Sequence, residues 1–477
     1  MQLKNIIAIL VAGSLLLFTA CDEYLDINEN PNVATQPPLD GLLASTSYQT
    51  GLNNFRVSNS FGAFWVQYLA SPNESSTTDI YLEADYSGTW GSLYNTMTDL
   101  FDLIRFGEER EAEAHVGIAK VLMAVNLALV VDNWNDAPYT DAFTGSTLTP
   151  VYDNGEQLYD VILNLLGEAE AALASDDASP SLNGPSDFVH GGDLVAWGRT
   201  IEALRARYLN HLSETGAYAP AEVLNAIDNA YTGVSQAAAI TTFEVRNPWA
   251  QQAVNNDALL LAGWLSDQFV DALNGTTYGV FDPRLPFLTD TTDTGDYRGT
   301  RNGAGRVGDG TMAFESYLET DGSFSSEDSP LYLMSYQELK FVEAEAALAA
   351  TQPDRALTAF TEGVTSSIIE IQTFAGVSQE VAEMAAADYL SAAYPDLSAA
   401  NLTLDDVFRE KYVANFLSPE TYVDARRYDF GYTGFELAAN AAQGSVPTRV
   451  QYPNTELDRN GRNTPDVLLT DLVFWDQ

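Results

Sequence analysis

Beyond residue 38, apolar side chains recur every three or four positions, the period of an amphipathic helix, while two-residue alternation is scarce. Residues 111–132 (EAEAHVGIAKVLMAVNLALVVD) predict one helix. Residues 156–175 repeat the pattern before a loop, 176–187, rich in Ser, Pro, Asp and Gly. A third helix is expected over 193–214, with Trp197, Leu204, Tyr208 and His211 near one face. Further helices are expected over 222–231, 251–273 and 404–416, and 337–350 and 354–372 form a pair joined by a Thr-Gln-Pro turn. That pair partly fits a tetratricopeptide unit: Ala344, Ala356 and Phe360 fall at its small, small and aromatic positions, and Pro353 opens the second helix. No 34-residue repeat recurs, so the expected fold is mainly α, built of degenerate helical hairpins packed as a solenoid-like scaffold.

Two stretches carry no such period. Residues 71–94 place Tyr81, Tyr86, Trp90 and Tyr94 among Ser, Thr, Asn and Asp. Residues 274–330 are rich in Gly and Asp and carry Tyr278, Phe281, Phe287, Tyr297, Phe314, Tyr317 and Phe324. Loops this long inside a compact domain are binding surfaces or disorder, and this many aromatics argue against disorder.

Composition narrows the partners. The 477 residues carry 22 Lys and Arg against 67 Asp and Glu, a formal charge of −45. The imbalance is a shortage of cations, with only four lysines, Lys4, Lys120, Lys340 and Lys411. Nucleic acid is excluded as a partner because phosphate binding needs clustered Lys and Arg, and no basic patch is available for anionic lipid. So acidic a protein repels itself at low ionic strength, which suggests a saline, halophilic setting.

The first residues are read as a targeting signal. Lys4 precedes a 13-residue apolar run, 6–18, too short to span a bilayer but right for a signal peptide. Cys21, the single cysteine, follows directly and cannot form an internal disulfide. Its position resembles a lipoprotein signal, with Phe18 where the usual Leu stands. Residues 1–20 are therefore expected to be a signal peptide, Cys21 the lipidated N-terminus, 21–38 a polar spacer and 39–477 one domain. No later segment is expected to cross a membrane.

Catalytic chemistry finds little support. Of the histidines, His115 lies four residues after Glu111, and one such pair is not a metal site. There is no nucleophile elbow, phosphate-binding loop or zinc spacing. Gly303-Ala-Gly305 follows Arg301 in a loop with no preceding strand. A glycosidase needs two placed carboxylates, and Asp136 is the natural candidate for a general acid, but the favoured reading is that Trp134, Pro138 and Tyr139 pack a turn that Asp136 caps. Calcium is possible where Asp290, Asp293 and Asp296 cluster and where Asp458 lies near Asn460 and Asn463, but neither fits the twelve-residue loop, so no metal is predicted. Sugar binding has the positive signal: a flat ring covers the apolar face of a pyranose while Asp, Asn and Arg bond its hydroxyls. The candidates are Tyr81, Trp90, Tyr297, Tyr317 and Phe324 for stacking, with Arg301 and Asp85 for hydrogen bonds. Trp65 and Trp197 are assigned to the core, and Arg426 and Arg427 to buried ion pairs.

Six segments together resemble the SusD/RagB-like outer-membrane nutrient-binding lipoproteins of the Bacteroidetes type. They are CDEYLDINENPN (21–32), NWNDAPYTDAF (133–143, with Asn135 in place of the usual Gly), FDPRLP (281–286), SPLYLMSYQELKFVEAEAAL (329–348), EKYVANFLSPETYVDARRYDF (410–430) and RVQYPNTELDRNGRN (449–463). They run in family order through nearly the whole mature chain. The resemblance implies a SusD-like fold, with tetratricopeptide-like hairpins on one side and a loop-rich half on the other. It implies a lipid anchor at the outer face of the outer membrane, Asp22 and Glu23 fitting surface export. It also implies a partner TonB-dependent SusC-like barrel, nutrient capture (usually glycan, sometimes peptide) and no catalysis. A surface glycosidase and an assembly scaffold without ligand stand as the alternatives.

Overall fold

The computed structural model describes residues 37–175, 181–258, 263–307 and 314–476. The expected signal peptide, Cys21 and nearly all of the spacer lie outside these residues. The described chain is mainly helical. In order, the helices are α1 Leu39–Val57, α2 Ser87–Glu109, α3 Glu113–Trp134, α4 Gly155–Leu173, α5 Leu194–His211, α6 Pro220–Ile227 and α7 Pro248–Asp257. They continue as α8 Asp267–Leu273, α9 Tyr336–Ala349, α10 Pro353–Phe374, α11 Gln379–Ala393, α12 Leu404–Ala414, α13 Glu420–Arg427 and α14 Asn454–Asn460. Four short strands pair antiparallel: β1 Leu69–Ala70 with β3 Trp264–Leu265, and β2 Ala238–Ile240 with β4 Leu331–Met334.

The centre is α3, packed between α2 and α4. It is apolar on nearly every face, as a helix enclosed by others must be. It is long and apolar enough to cross a membrane, yet 83% of its most apolar window is buried here, so it reads as an interior helix. Gly117 lets α4 approach: a Cβ there would meet Leu173 Cδ2 at 2.6 Å. α9 and α10 form the expected hairpin, with Ala344, Ala356 and Phe360 fully buried and Pro353 in the first turn of α10. Gly363 brings them together, since a Cβ would stand 2.9 Å from the Phe341 ring. Trp65 and Trp197 are core residues, as expected.

Helix starts follow local chemistry. Asn154 caps α4, Asp193 caps α5, Ser335 caps α9, and Thr403 with Asp406 forms a capping box on α12. Three expectations need correction. The single helix expected over 251–273 is two, α7 and α8, separated by β3; Gly263 there packs against Leu69, leaving no room for a Cβ. The loop expected over 71–94 ends at Tyr86, where α2 begins, because Trp90, Leu93, Met97 and Leu100 bury one face on α1 and α3. α1 and α11 were not anticipated.

Several of the resembling segments prove structural. In FDPRLP, fully buried Arg284 holds Asp282 and Glu410, each at 2.6 Å. In the paired arginines, Arg427 bridges Asp424 at 3.0 Å and Glu345, as expected. Arg426 differs: it donates to the carbonyls of Asp132 (2.6 Å) and Thr448 (3.0 Å) beneath the Trp475 ring. Arg449 and Tyr452 both donate to the carbonyl of Trp134, locking the NWNDAPY turn, in which Asn135 takes φ +70°. Six of the 22 Lys and Arg side chains are thus committed to the interior: Arg207, Arg284, Lys411, Arg426, Arg427 and Arg449.

Candidate functional site

Three loops, residues 71–86, 299–307 and 429–442, meet at one buried carboxylate. Asp79 is fully buried and accepts from the Ser71 N–H (2.9 Å), the Gly303 N–H (2.9 Å) and Asn302 Nδ2 (3.0 Å). Burial pushes Asp79 up to about 6 against the pull of those donors. Backbone bonds complete the stitching: Ser75 N–H to Gly303 O (3.0 Å), Ala439 N–H to Asn302 O (2.8 Å) and Ala442 N–H to Ile80 O (2.7 Å). The loops touch backbone to backbone at Gly303, whose Cβ would fall 1.9 Å from Ala439 O, at φ +77°. Six non-glycine residues in or beside these loops adopt left-handed backbone, Gln67, Ser75, Tyr81, Asp429, Phe430 and Asn440. Such conformations are costly and cluster where a surface is held in a set shape.

Beside this junction lies a polar cleft of about 190 Å³. Helix α8 lends it Asp267, Gln268 and Asp271, positions on one side of the helix, while Phe269, Val270 and Leu273 face the core. Gln67, Thr277, Asn302 and Leu437 add to the lining, and Arg301 bridges to Glu436 at 2.8 Å across it. Burial raises Asp267 above the usual carboxylate range, Asp271 adding to the shift and Arg301 opposing it. The hydrogen bond to Glu436 holds Arg301 firmly protonated. Asn274 donates to Asp271 Oδ1 (3.0 Å) and to Tyr297 O (3.2 Å), which sets the Tyr297 strand of chain next to the cleft. There the Tyr297 ring lies 6.0 Å from that of Phe281, which is 46% exposed. The cleft thus offers amide, carboxylate and guanidinium groups, and the half-open Phe281–Tyr297 pair lies outside its lining, joined to Asp271 through Asn274.

Of the sequence candidates, Arg301 lines the cleft, and Tyr297 lies outside the lining, its carbonyl tied to Asp271 through Asn274. The others sit elsewhere. Tyr81 is fully buried in a left-handed turn and offers no face. Trp90, 3% exposed, packs edge-on to Trp134 inside α2. Tyr317 is buried against Trp264, ring to ring at 5.5 Å. Phe324 is half-buried and meets Phe416 edge-on at 5.6 Å, lining a narrow slot of about 50 Å³. Asp85 is exposed but occupied: it caps α2 through Ser87 N–H (3.1 Å) and Ser87 Oγ (2.6 Å) and accepts from the Asn454 N–H (3.2 Å). Gln67, Asp267, Gln268, Asp271, Thr277, Asn302 and Glu436 were missed. The one available signal was the polar face of DQFVDAL, hidden by reading 251–273 as one continuous helix.

The remaining chemistry is structural too. Asp136 accepts from the Gly155 N–H (2.9 Å) and Asn135 Nδ2 (2.9 Å), capping α4. His115 bonds Asp40 (2.9 Å), while Glu111 lies outside the helix at φ +56°. Asp296 is taken up by Thr292, Thr294 and Arg298 and held down near 2, chiefly by the Thr292 bond. Asn460 and Asn463 bind the Pro150 carbonyl. Among the described residues no group of three His, Cys, Asp or Glu is placed to hold a metal ion.

A helical scaffold presenting a loop-built polar cleft is the architecture of a ligand-binding protein. The chain belongs to the SusD-like family, described as "Starch-binding associating with outer membrane", whose profile matches residues 31–453. Solved structures share the fold. A SusD homologue from Bacteroides fragilis has a TM-score of 0.77 at 21% identity, covering 93% of this chain and 100% of its own. A SusD/RagB family protein from Bacteroides thetaiotaomicron has a TM-score of 0.74 at 22% identity, covering 92% and 99%. A chitin-binding SusD homologue from Flavobacterium johnsoniae has a TM-score of 0.75 at 19% identity, covering 91% and 98%. No curated protein matches the chain significantly.

Proposed function

We propose that this protein is a cell-surface lipoprotein that captures oligosaccharide in the Arg301 cleft and delivers it to a TonB-dependent outer-membrane barrel of the SusC type. The observation that carries the reading is the cleft itself, lined by Asp271, Gln268 and Arg301, with the Tyr297 segment of the Phe281–Tyr297 pair tied to Asp271 through Asn274. The family description and the chitin-binding homologue support a glycan ligand. In this reading residues 1–20 are cleaved, Cys21 carries the lipid, and 21–38 tether the domain of residues 39–477. The protein binds and does not cleave; the carboxylate best suited to a glycosidase, Asp136, is used as a helix cap.

Calorimetry of the mature chain against neutral oligosaccharides tests capture. Arg301→Ala and Tyr297→Ala are expected to weaken binding about tenfold each, the scale of one lost polar or stacking contact in a buried site. No reducing sugar should appear. Unchanged affinity in both variants would remove the cleft from the ligand path. Affinity purification from the native membrane tests delivery, since the barrel should copurify.

A further inference from the structure

We infer that the preferred ligand of the Arg301 cleft carries a protonated primary amine, as an amino sugar does. The inference rests on the reading of this cleft as a sugar site. Three carboxylates line it, Asp267, Asp271 and Glu436, against the single guanidinium of Arg301. Arg301 is paired with Glu436 at 2.8 Å and acts on Asp267 through space, so one guanidinium serves three carboxylates. They stand four residues apart on α8, so that both project from the same side of the helix. Like charges so placed repel each other, and partial burial strengthens the repulsion. A bound ammonium group relieves it.

The hydrogen bonds Asp267 and Asp271 receive, from the Gln268 N–H (2.8 Å) and Asn274 Nδ2 (3.0 Å), fall on Oδ1, which leaves Oδ2 of both for a donor in the cleft. A bare metal ion fits less well than an amine, because no three-carboxylate cluster is placed to hold one among the described residues. Lysine-rich peptide also fits less well. The cleft presents no strand edge to a peptide backbone. A neutral sugar would leave the carboxylate pair uncompensated, and a sulfated or uronic one would add to the repulsion.

The test is calorimetry of the mature chain at pH 6 in 0.1 M NaCl with three probes: a glucosamine trimer, its fully N-acetylated counterpart and trilysine. The glucosamine trimer is expected to bind about tenfold more tightly than the acetylated trimer, the preference shrinking severalfold in 1 M NaCl. Asp267→Asn and Asp271→Asn are each expected to remove most of that preference, weakening the glucosamine trimer severalfold more than the acetylated trimer. Equal affinity for the two trimers would overturn the inference and leave the sugar reading standing. Tighter binding of trilysine would overturn it in favour of a peptide amine. Failure of every oligosaccharide to bind would sink both readings.

Discussion

His211 donates its Nε2–H to the Glu420 carboxylate inside the molecule, joining α5 to α13 where neither side chain meets water. On the other side of the ring, His211 Nδ1 meets the Tyr159 hydroxyl at 2.7 Å, with Asp132 3.6 Å away. Burial alone would depress the imidazole, but Glu420 and Asp132 overcome it and push His211 up to about 9. The histidine is therefore a buried cation at neutral pH. The same knot holds Arg207 on Glu338 and Lys411 on Glu345 and Asp424, the last two contacts both at 2.7 Å.

This fixes an alkaline limit. Because the folded value lies above the unfolded 6.5, the stabilisation is complete below about pH 6.5 and is lost as pH rises through about 9. A shift of this size corresponds to at most about 3 kcal/mol. Urea midpoints should fall between pH 6.5 and 9.5 in the native protein, and His211→Gln should flatten that fall. An equal fall in the variant would assign the alkaline loss to other groups.

Arg284 and Glu410 give a contrast between buried and exposed charge. Glu410 also accepts from the hydroxyls of Tyr389 (2.7 Å) and Tyr394 (2.8 Å). Glu410→Ala would strip Tyr389 and Tyr394 of their acceptor and leave Arg284 with Asp282 as its one remaining carboxylate, and about 3–5 kcal/mol of destabilisation is expected. On the surface of α2, Arg105 and Glu109 are paired at 3.3 Å with both about half exposed. Glu109→Ala should cost well under 1 kcal/mol. Chemical denaturation of the two variants side by side measures the difference.

How much of this was legible in the sequence depended on the range of the interaction. The α9–α10 hairpin was readable because its small residues, its Pro353 and its cap lie within forty residues. Tyr297 and Arg301 were readable as members of an aromatic, polar loop. Trp90 was misplaced because its Ser- and Thr-rich neighbourhood reads as a loop; α2 is a helix through what it buries against α1 and α3. Gln67 and Glu436 carried no local signal at all, since 369 positions separate them and only the fold brings Gln67 Nε2 to the Glu436 carbonyl at 2.6 Å. The buried roles of Arg284 and Arg449 were likewise invisible, because Glu410 and the Trp134 carbonyl that they bind lie in distant segments.

Asp79 should make the loop junction respond to acid. Its folded value of about 6 lies above the unfolded 3.8, so the fold favours the neutral carboxyl. Stability from this group is present below about pH 3.8 and is lost as pH rises through about 6. Going from pH 7 to pH 5 should raise amide protection factors, corrected for the intrinsic pH dependence of exchange, in residues 71–82 and 299–307, an effect of up to about 2 kcal/mol. Asp267, the nearby acid in the cleft, contributes to the same rise, so the step belongs partly to the pair. Asp79→Asn should abolish most of the change; protection factors that stay pH-dependent in that variant would place the titration elsewhere.

Salt should act on the whole molecule. The formal charge of −45 includes cations already spent in the interior, where Arg284 and Lys411 neutralise buried acids and do nothing for the surface. The exterior therefore carries a broad excess of carboxylates whose repulsion is screened over about 10 Å at 0.1 M salt and about 3 Å at 1 M. Raising NaCl from 0.05 to 1 M should increase the melting temperature by several degrees, with most of the gain below 0.5 M, as expected of a protein suited to saline surroundings. The buried pairs, shielded from ions, should contribute little, so Glu410→Ala should show the same salt increment as the native protein. A flat melting temperature across that range would mean that the surface carboxylates are spaced widely enough to ignore one another, and the saline reading would fall with it.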